Sequence, residues 1–560
     1  MTNLSDFSLI IKKTFIPCLL LVLSTFAVFS SALSHQFLIN WDDNQYLLQN
    51  PAVRGVTAEH LKAAFTHIYI GNYAPLHIIS YMLDYELWGM KASGFIFTNI
   101  LLHTGNGVLY YLLLTRLSGK TVWPLLAALL FLLHPMQVES VVWISQRKNL
   151  LAMFFFLAAF LFHVVSGENS PKEEWHDRFY LLSLAAFILA MLAKSVAITL
   201  PLVLVLFDFC YRQKREAREL LAGKLPYLVI TVILGSLAIM AQSNKFQGGR
   251  TSYYGGSPFA TFLTMLPVLV SYLRLVFWPS GLSAWYQVEV RTGIDVAVAV
   301  SALLCALIIV GGAMLYRKRT DLFFWYALFF IGLLPVSQII PIITLMNDRY
   351  LYFPMLGTAA FLGATLFGNM EWADMRRGKG ILIPVALGVI GAYSAVSIHR
   401  VGVWQDSYTL WSDAVDKSPN AAVAHDCLGE ALLNVKRDPD QAIEQFRIVL
   451  GLRRGNALHD LNVIHDYAQT YSNLGAAFDA KGMTEEAMEQ FSTAISLNPM
   501  HAGAYFNMGN SLMHKGLVQQ ALRSFEIASR LNPDDPAFRA NLAMTRQIIN
   551  NRGISPVLQQ

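Results

Sequence analysis

Hydrophobic and polar positions divide this chain at about residue 400. Before that point, apolar runs follow one another with short polar interruptions. After it, apolar residues recur every three or four positions on otherwise polar segments. A hydrocarbon core about 30 Å thick needs about 20 apolar residues per helix. The first part therefore predicts a polytopic membrane domain (1–400), and the second predicts a set of amphipathic helices (401–560). The runs fall at 14–33, 95–115, 122–138, 149–166, 179–194, 195–210, 226–242, 294–315, 322–343, 353–368 and 381–397, about 11 spans. A further stretch, Phe259 to Phe277, is apolar enough to count but contains Arg274. Counting it would move Arg317, Lys318 and Arg319 away from the side of every other basic loop, so it is read as an interfacial or re-entrant helix.

Charge gives the orientation. Lys12 and Lys13 precede the first run and hold the N-terminus in the cytoplasm. On the same side fall Arg116 and Lys120, Lys172 and Arg178, the group Arg212, Lys214, Arg215, Arg218 and Lys224, then Arg317 to Arg319, and Arg376, Arg377 and Lys379. An odd number of spans then puts 401–560 on the periplasmic or extracytoplasmic side of the cell (inner) membrane. Ser31-Ala32-Leu33-Ser34 offers a small-residue cleavage site, but the apolar stretch before it exceeds the 7–15 residues of a signal-peptide core, so it is read as a span. Composition agrees: 55% hydrophobic and 14% charged residues exclude a water-soluble protein of this size. Residues 1–400 carry 29 Lys/Arg against 20 Asp/Glu, and 401–560 carry 13 against 17. The net charge of +5 forms no stripe, which argues for membrane lipids and against nucleic acid as partners. Cys18, Cys210 and Cys305 lie in or at the end of apolar runs, leaving Cys427 alone, so no disulfide or zinc site is expected.

The polar segment repeats itself with a period of 34. Leu474-Gly475, Phe478, Gly482, Ala487, Phe491, Ala494 and Pro499 return as Met508-Gly509, Leu512, Gly516, Ala521, Phe525, Ala528 and Pro533. These are the positions of tetratricopeptide (TPR) repeats, in which small residues let two helices approach, aromatics fill the gap and proline ends the second helix. Leu428-Gly429, Ala442 and Phe446 form a degenerate repeat with one extra residue in its turn. Trp411, Ala414 and Pro419 resemble a lone second helix, and Leu542-Ala543 begin a capping helix. Asn507 and Asn510 are placed to clamp a peptide, although asparagines there are common in ordinary TPR helices. A concave surface of this kind takes a protein or peptide partner.

Ionisable residues beside a membrane are expensive and mark candidate function. Asp42 and Asp43 stand together in Asn40-Trp41-Asp42-Asp43-Asn44-Gln45-Tyr46, just past the first span, where helix capping is the plainer alternative to chemistry. His134-Pro135, Glu139-Ser140 and Arg147-Lys148 form a second outside cluster, with snorkelling at a helix end as its plainer reading. Asn347-Asp348-Arg349-Tyr350 is a third, where Asp and Arg pairing with each other is the plainer reading. Lys194 and Arg274 also face outward. Cations gathered on one side of a membrane suit a lipid-linked phosphate.

Together these runs resemble a known family. Trp41-Asp42-Asp43, Asn50-Pro51, Tyr73-Ala74-Pro75-Leu76, Leu83-Asp84, Thr98-Asn99, Leu101-Leu102-His103, His134-Pro135 through Val138-Glu139-Ser140-Val141 to Arg147-Lys148, and Asp348-Arg349-Tyr350-Leu351-Tyr352 are similar to the transmembrane-and-TPR GT-C glycosyltransferases. Eukaryotic members of that family are protein O-mannosyltransferases. Tyr73-Ala74 departs from the Trp-His of many relatives. The resemblance implies an all-α fold, with a GT-C-like helical membrane domain followed by a TPR α-solenoid. It also implies a polyprenyl-phosphate sugar donor and an extracytoplasmic acceptor, a protein Ser/Thr hydroxyl. By the same match Asp42 is the base, with Asp43 as support or alternative base. Arg147, Lys148 and Arg349 are donor-phosphate partners, and His134, Glu139 and Asp348 support the acceptor or the loops.

The chemistry is consistent with that implication. Sugar transfer from a lipid phosphate needs a base for the acceptor hydroxyl, while a phosphate leaving group needs charge stabilisation and no general acid. A single displacement inverts the anomeric centre. No metal-ligand set is assigned; Glu139 and His134 leave open a divalent metal, acceptor orientation or bracing of the loop. The alternative is a non-enzymatic TPR membrane scaffold for envelope proteins, which leaves the outside carboxylates and cations unexplained. A transporter would instead concentrate its charges at the bilayer midplane.

Overall fold

The computed structural model describes residues 4–169, 177–212, 223–242, 252–370, 382–453, 461–533 and 535–551. The expected basic residues Lys172, Lys214, Arg215, Arg218, Arg376, Arg377 and Lys379 lie outside them. Among the described residues every element is helical, and the one extended pairing is a bridge between Tyr69 and Asn72. The fold is all-α, in two compact units, Met1–Asp406 and Ser407–Gln560.

The first unit contains α1 (Leu4–Phe29), α2 (Ala58–Thr66), α3 (Pro75–Trp88), α4 (Ala92–Ser118), α5 (Val122–Leu133), α6 (Val138–Val142), α7 (Arg147–Asn169), α8 (Arg178–Ala193), α9 (Leu200–Tyr211), α10 (Leu225–Ala241), α11 (Pro258–Phe277), α12 (Val296–Lys318), α13 (Thr320–Leu333), α14 (Pro354–Phe367) and α15 (Leu382–Val403). Among the described residues five stretches are long and apolar enough to cross a membrane: Thr14–Ser34, Ile144–Gly167, Pro258–Phe277, Val296–Lys318 and Leu382–Val403. Arg178–Ala193, Ser195–Tyr211, Leu225–Ala241, Thr320–Val336 and Pro354–Phe367 are apolar but shorter. α5 is apolar all round because α1, α4, α14 and α15 all pack on it. α7 packs on α4 and α8 and carries Arg147-Lys148-Asn149 in its first turn.

Two expectations change. The run 122–138 is not one helix: α5 and α6 meet at a 52° bend. Pro135 forces the residue before it out of the helical region, and His134 is extended there (φ −70°, ψ 135°). Conversely, 259–277 does not turn back on itself: α11 is one continuous helix, which excludes the re-entrant reading and leaves the interfacial one. Its Arg274 lies in the last turn, donating to Ser280 Oγ at 3.3 Å, where a long side chain reaches the interface.

The second unit contains α16 (Ser407–Lys417), α17 (Ala422–Ala431), α18 (Pro439–Arg453), α19 (Leu461–Ala480), α20 (Thr484–Leu497), α21 (Ala502–His514), α22 (Val518–Leu531) and α23 (Pro536–Asn551). Helix pairs α17–α18, α19–α20 and α21–α22 are the repeats. A β-carbon on Gly429, Gly475 or Gly509 would lie 2.5–2.6 Å from the ring of Phe446, Phe491 or Phe525, so glycine is what lets each pair close. The pairs turn at Gly482 (φ +77°) and Gly516 (φ +75°), and at the equivalent Arg437 (φ +55°) in the degenerate repeat. That repeat absorbs its extra residue as a π-helical turn, Leu432–Lys436. The capping helix starts earlier than Leu542, at Pro536, because Asp535 accepts from the amides of Ala537 (2.8 Å) and Phe538 (3.3 Å). Asn507 and Asn510 are taken up between helices, Asn507 donating to Ser472 Oγ (3.4 Å) and Asn510 accepting from Asn541 (3.0 Å).

Candidate active site

The first loop is held by Asp43. Its carboxylate is buried and accepts from the amides of Leu38 (3.1 Å) and Ser145 (3.0 Å) and from the Ser145 hydroxyl. Burial pushes its pKa up to about 6; those hydrogen bonds oppose the shift, and the charge of Asp42 adds to it. Asp43 thus ties the loop to the segment before α7 and turns its neighbour outward. Asp42 stays partly accessible, with 22% of its side chain exposed, and lies 3.6 Å from Lys148 Nζ. Trp41 lies tilted against Trp143 (4.1 Å between ring centres) and stacks on Trp404 (6.2 Å).

Asp42 opens on a cavity of about 440 Å³, within the usual range for ligand sites. Lys148, Lys194 and Arg349 line the same cavity. Lys194 donates to Asn149 Oδ1 at 2.6 Å. The Arg349 guanidinium pairs with Glu139 (2.5 Å), its backbone amide also donates to Glu139 (2.9 Å), and it lies over the Trp143 ring. Much of the remaining wall is apolar, with Gly235, Ala238 and Ile239 of α10 and Pro335, Val336, Ile340 and Ile342 beyond α13. The cavity therefore has a charged end and a greasy one.

The structure brings Asp42, Lys148 and Arg349 together, with Glu139 behind Arg349 and Asp43 behind Asp42. Arg147 is directed elsewhere, which corrects its expected role at the donor phosphate. It is fully buried, paired with Asp84 at 2.5 Å, and donates to Asn99 Oδ1 (2.8 Å) and to the carbonyls of Phe95 (2.7 Å) and Ser80 (3.2 Å). The runs Leu83-Asp84 and Thr98-Asn99 thus exist to seat it, with Thr98 donating to Asp84 (2.8 Å). His134 is also apart from the cavity. Its Nε2 donates to the Val276 carbonyl of α11 (3.0 Å) and its Nδ1 accepts from the Met136 amide (3.3 Å), so one ring nitrogen ties the bend to α11, the other caps the turn after it, and neither is available to a metal. Asp348 is buried and accepts from Tyr286 (2.5 Å), a brace beside Arg349. The run ending in Tyr352 meets the one ending in His103, His103 Nδ1 lying 2.8 Å from the Tyr352 hydroxyl. Among the described residues no three His, Cys, Asp or Glu are grouped to hold a metal ion.

Lys194, named above only as an outward-facing cation, also lines the cavity, as do Asn149, Gln146 and Trp285. A lone lysine between two apolar runs was the available signal for Lys194; the others carry none.

Several known proteins are similar to this chain. A tetratricopeptide repeat model matches residues 468–501. Protein O-mannosyl-transferase TMTC4 of Homo sapiens is 24% identical over 474 residues, covering 74% of this chain and 63% of its own length. Protein O-mannosyl-transferase TMTC3 of Homo sapiens is 23% identical over 474 residues, covering 76% and 48%. This chain is similar to the TMTC O-mannosyl-transferases. It spans about half to two thirds of the length of these relatives. The TMTC similarity covers about three quarters of the chain, so it extends well beyond the repeats into the membrane unit. Among solved structures, ArnT from Cupriavidus metallidurans bound to undecaprenyl phosphate aligns over 86% of this chain and 80% of its own at 17% identity, with a TM-score of 0.35.

Proposed function

We propose that this chain is a membrane glycosyltransferase that moves a sugar from a polyprenyl-phosphate donor to a hydroxyl of an extracytoplasmic protein. One observation carries the reading: an accessible carboxylate, Asp42, pairs with Lys148 and shares with Lys194 and Arg349 a cavity that has an apolar end. The similarity to named O-mannosyl-transferases supports the same class of reaction.

In the reaction the donor phosphodiester lies among the three cations and its lipid follows the apolar wall. The phosphate competes with Asp42 for Lys148, which frees the carboxylate. Asp42 takes the proton of the acceptor hydroxyl as its oxygen bonds to the anomeric carbon. The bond from that carbon to the phosphate oxygen breaks, and the second negative charge on the departing lipid phosphate is met by Lys148, Lys194 and Arg349. One displacement inverts the anomeric centre. Asp43 and Glu139 act as positioning residues, the first on the Asp42 loop and the second on Arg349. The TPR unit is assigned to the extracytoplasmic side, where it presents protein acceptors.

The test is Asp42→Asn. Transfer should fall about 10²- to 10⁴-fold, the usual worth of a general base, while affinity for sugar-free polyprenyl phosphate holds. Near-normal turnover would remove Asp42 from the chemistry. For the side of the membrane, a cysteine placed at Gly482 should react with an impermeant thiol reagent in intact cells. Labelling only after lysis would reverse the assignment, as a crossing by α11 would also do.

A further inference from the structure

One polar group on the cavity wall has no part in that reaction. Gln146 ends a 3₁₀ turn, Ile144–Gln146, between two anchored residues: Ser145, which holds Asp43, and Arg147, which is buried on Asp84. Its backbone is therefore fixed on both sides. Gln146 is 2% exposed, lines the cavity, and its Oε1 has no hydrogen-bond partner. Its neighbours on the same wall, Asn149, Lys194 and Arg349, have theirs. A buried polar atom left unpaired is costly, and on a cavity wall an entering ligand can supply the missing bond. Trp41 and Trp285 line the same cavity.

The chemistry of the ligand parts selects the one that fits. A lipid chain offers no polar atom, and an ionised phosphodiester only accepts hydrogen bonds and is matched by the cations. A hexopyranose has hydroxyls that donate and accept, and an apolar ring face that stacks on indole. A primary amide also donates and accepts, so either orientation of the Gln146 side chain serves. We propose that Gln146 determines donor-sugar specificity: its amide hydrogen-bonds hydroxyls of a hexopyranose seated against the tryptophan rings. This rests on the lipid-phosphate-sugar reading above and names the subsite that reads the sugar.

The experiment uses the purified full-length chain with polyprenyl-phosphate mannose, its single deoxy analogues, polyprenyl-phosphate glucose, and sugar-free polyprenyl phosphate as competitor. Gln146→Leu should raise KM for the mannose donor about tenfold, the worth of one well-made hydrogen bond, and leave the inhibition constant of sugar-free lipid phosphate unchanged. It should also abolish the wild-type preference for mannose over one deoxy analogue, which a merely structural role would not do. Gln146→Asn keeps an amide of shorter reach; it should shift the same preference in the same direction and serves if the leucine variant does not fold. Equal weakening of sugar-bearing and sugar-free lipid, or unchanged preference among deoxy donors in an active variant, would overturn the subsite alone. A wild-type chain that neither transfers sugar nor binds lipid phosphate would overturn the reaction, and the subsite with it.

Discussion

Two charge clusters made of the same ingredients sit at opposite ends of α7. Near its end, Asp208 is fully buried and meets Lys224 at 2.7 Å, Arg212 at 3.0 Å and His163 at 3.4 Å. At its start, Asp42 has one cation at 3.6 Å and shares a cavity with Lys194 and Arg349. Lys148 and His163 are fifteen residues apart, about 22 Å along the helix. In the Asp208 cluster the carboxylate touches Lys224 and Arg212 directly, so the charges fill their own space. In the Asp42 cluster Lys194 and Arg349 have partners of their own, Asn149 and Glu139, and Asp43 on Ser145 fixes the loop that carries Asp42. A closed cluster is a fastening and an open one is a site, although residue types alone do not distinguish them.

Breaking the fastening should give the largest effect. Asp208→Ala leaves buried cations without their carboxylate, a loss of about 3–5 kcal/mol, read as lowered thermal stability in detergent with activity per folded molecule retained. A stable but inactive Asp208→Ala protein would erase the distinction between the two ends. Next comes Asp43, whose pKa in the folded chain is raised to about 6. The sign follows: its stabilising contribution is complete below the unfolded value near 4 and is lost as pH rises through about 6, a difference of up to about 3 kcal/mol. Unfolding of wild type relative to Asp43→Asn across pH 3.5 to 7 should show that decline, and a flat difference would contradict it. Lys194→Ala should weaken donor binding about tenfold, one charge-assisted contact, against no effect from a substitution such as Lys515→Ala in the TPR unit. The smallest effect is expected from stopping the chain after Asp406. That should raise KM for a folded protein acceptor several-fold and leave a short peptide acceptor unchanged. Stopping at Val401 would instead remove Trp404 from Trp41 and should impair both acceptors.

The same contrast explains what was legible in the sequence. The TPR pairs were readable to the residue, because Gly475 under Phe491 and Gly509 under Phe525 repeat one local solution at a fixed spacing. The apolar runs predicted helices, yet the break at His134-Pro135 was missed because hydropathy continues through a proline that backbone geometry does not tolerate. At the site, adjacency misled: Arg147 and Lys148 look equivalent in sequence, but one helical step turns the first into the protein and the second into the cavity. Which of two neighbouring charges is an anchor depends on Asp84 and Asn99, distant residues whose role only the packing of α3 and α4 against α7 reveals.

The central claim is that the open cluster receives a lipid phosphate while Asp42 takes the acceptor proton. Its most direct measurement combines purified full-length protein, a polyprenyl-phosphate sugar of known anomeric configuration and an extracytoplasmic protein. Acceptor mass, released lipid phosphate and the configuration of the new linkage are then read together. The account predicts one lipid phosphate released per sugar gained, an inverted linkage, and loss of all three with Asp42→Asn. Wild-type transfer by Asp42→Asn, or sugar gained without release of lipid phosphate, would contradict it.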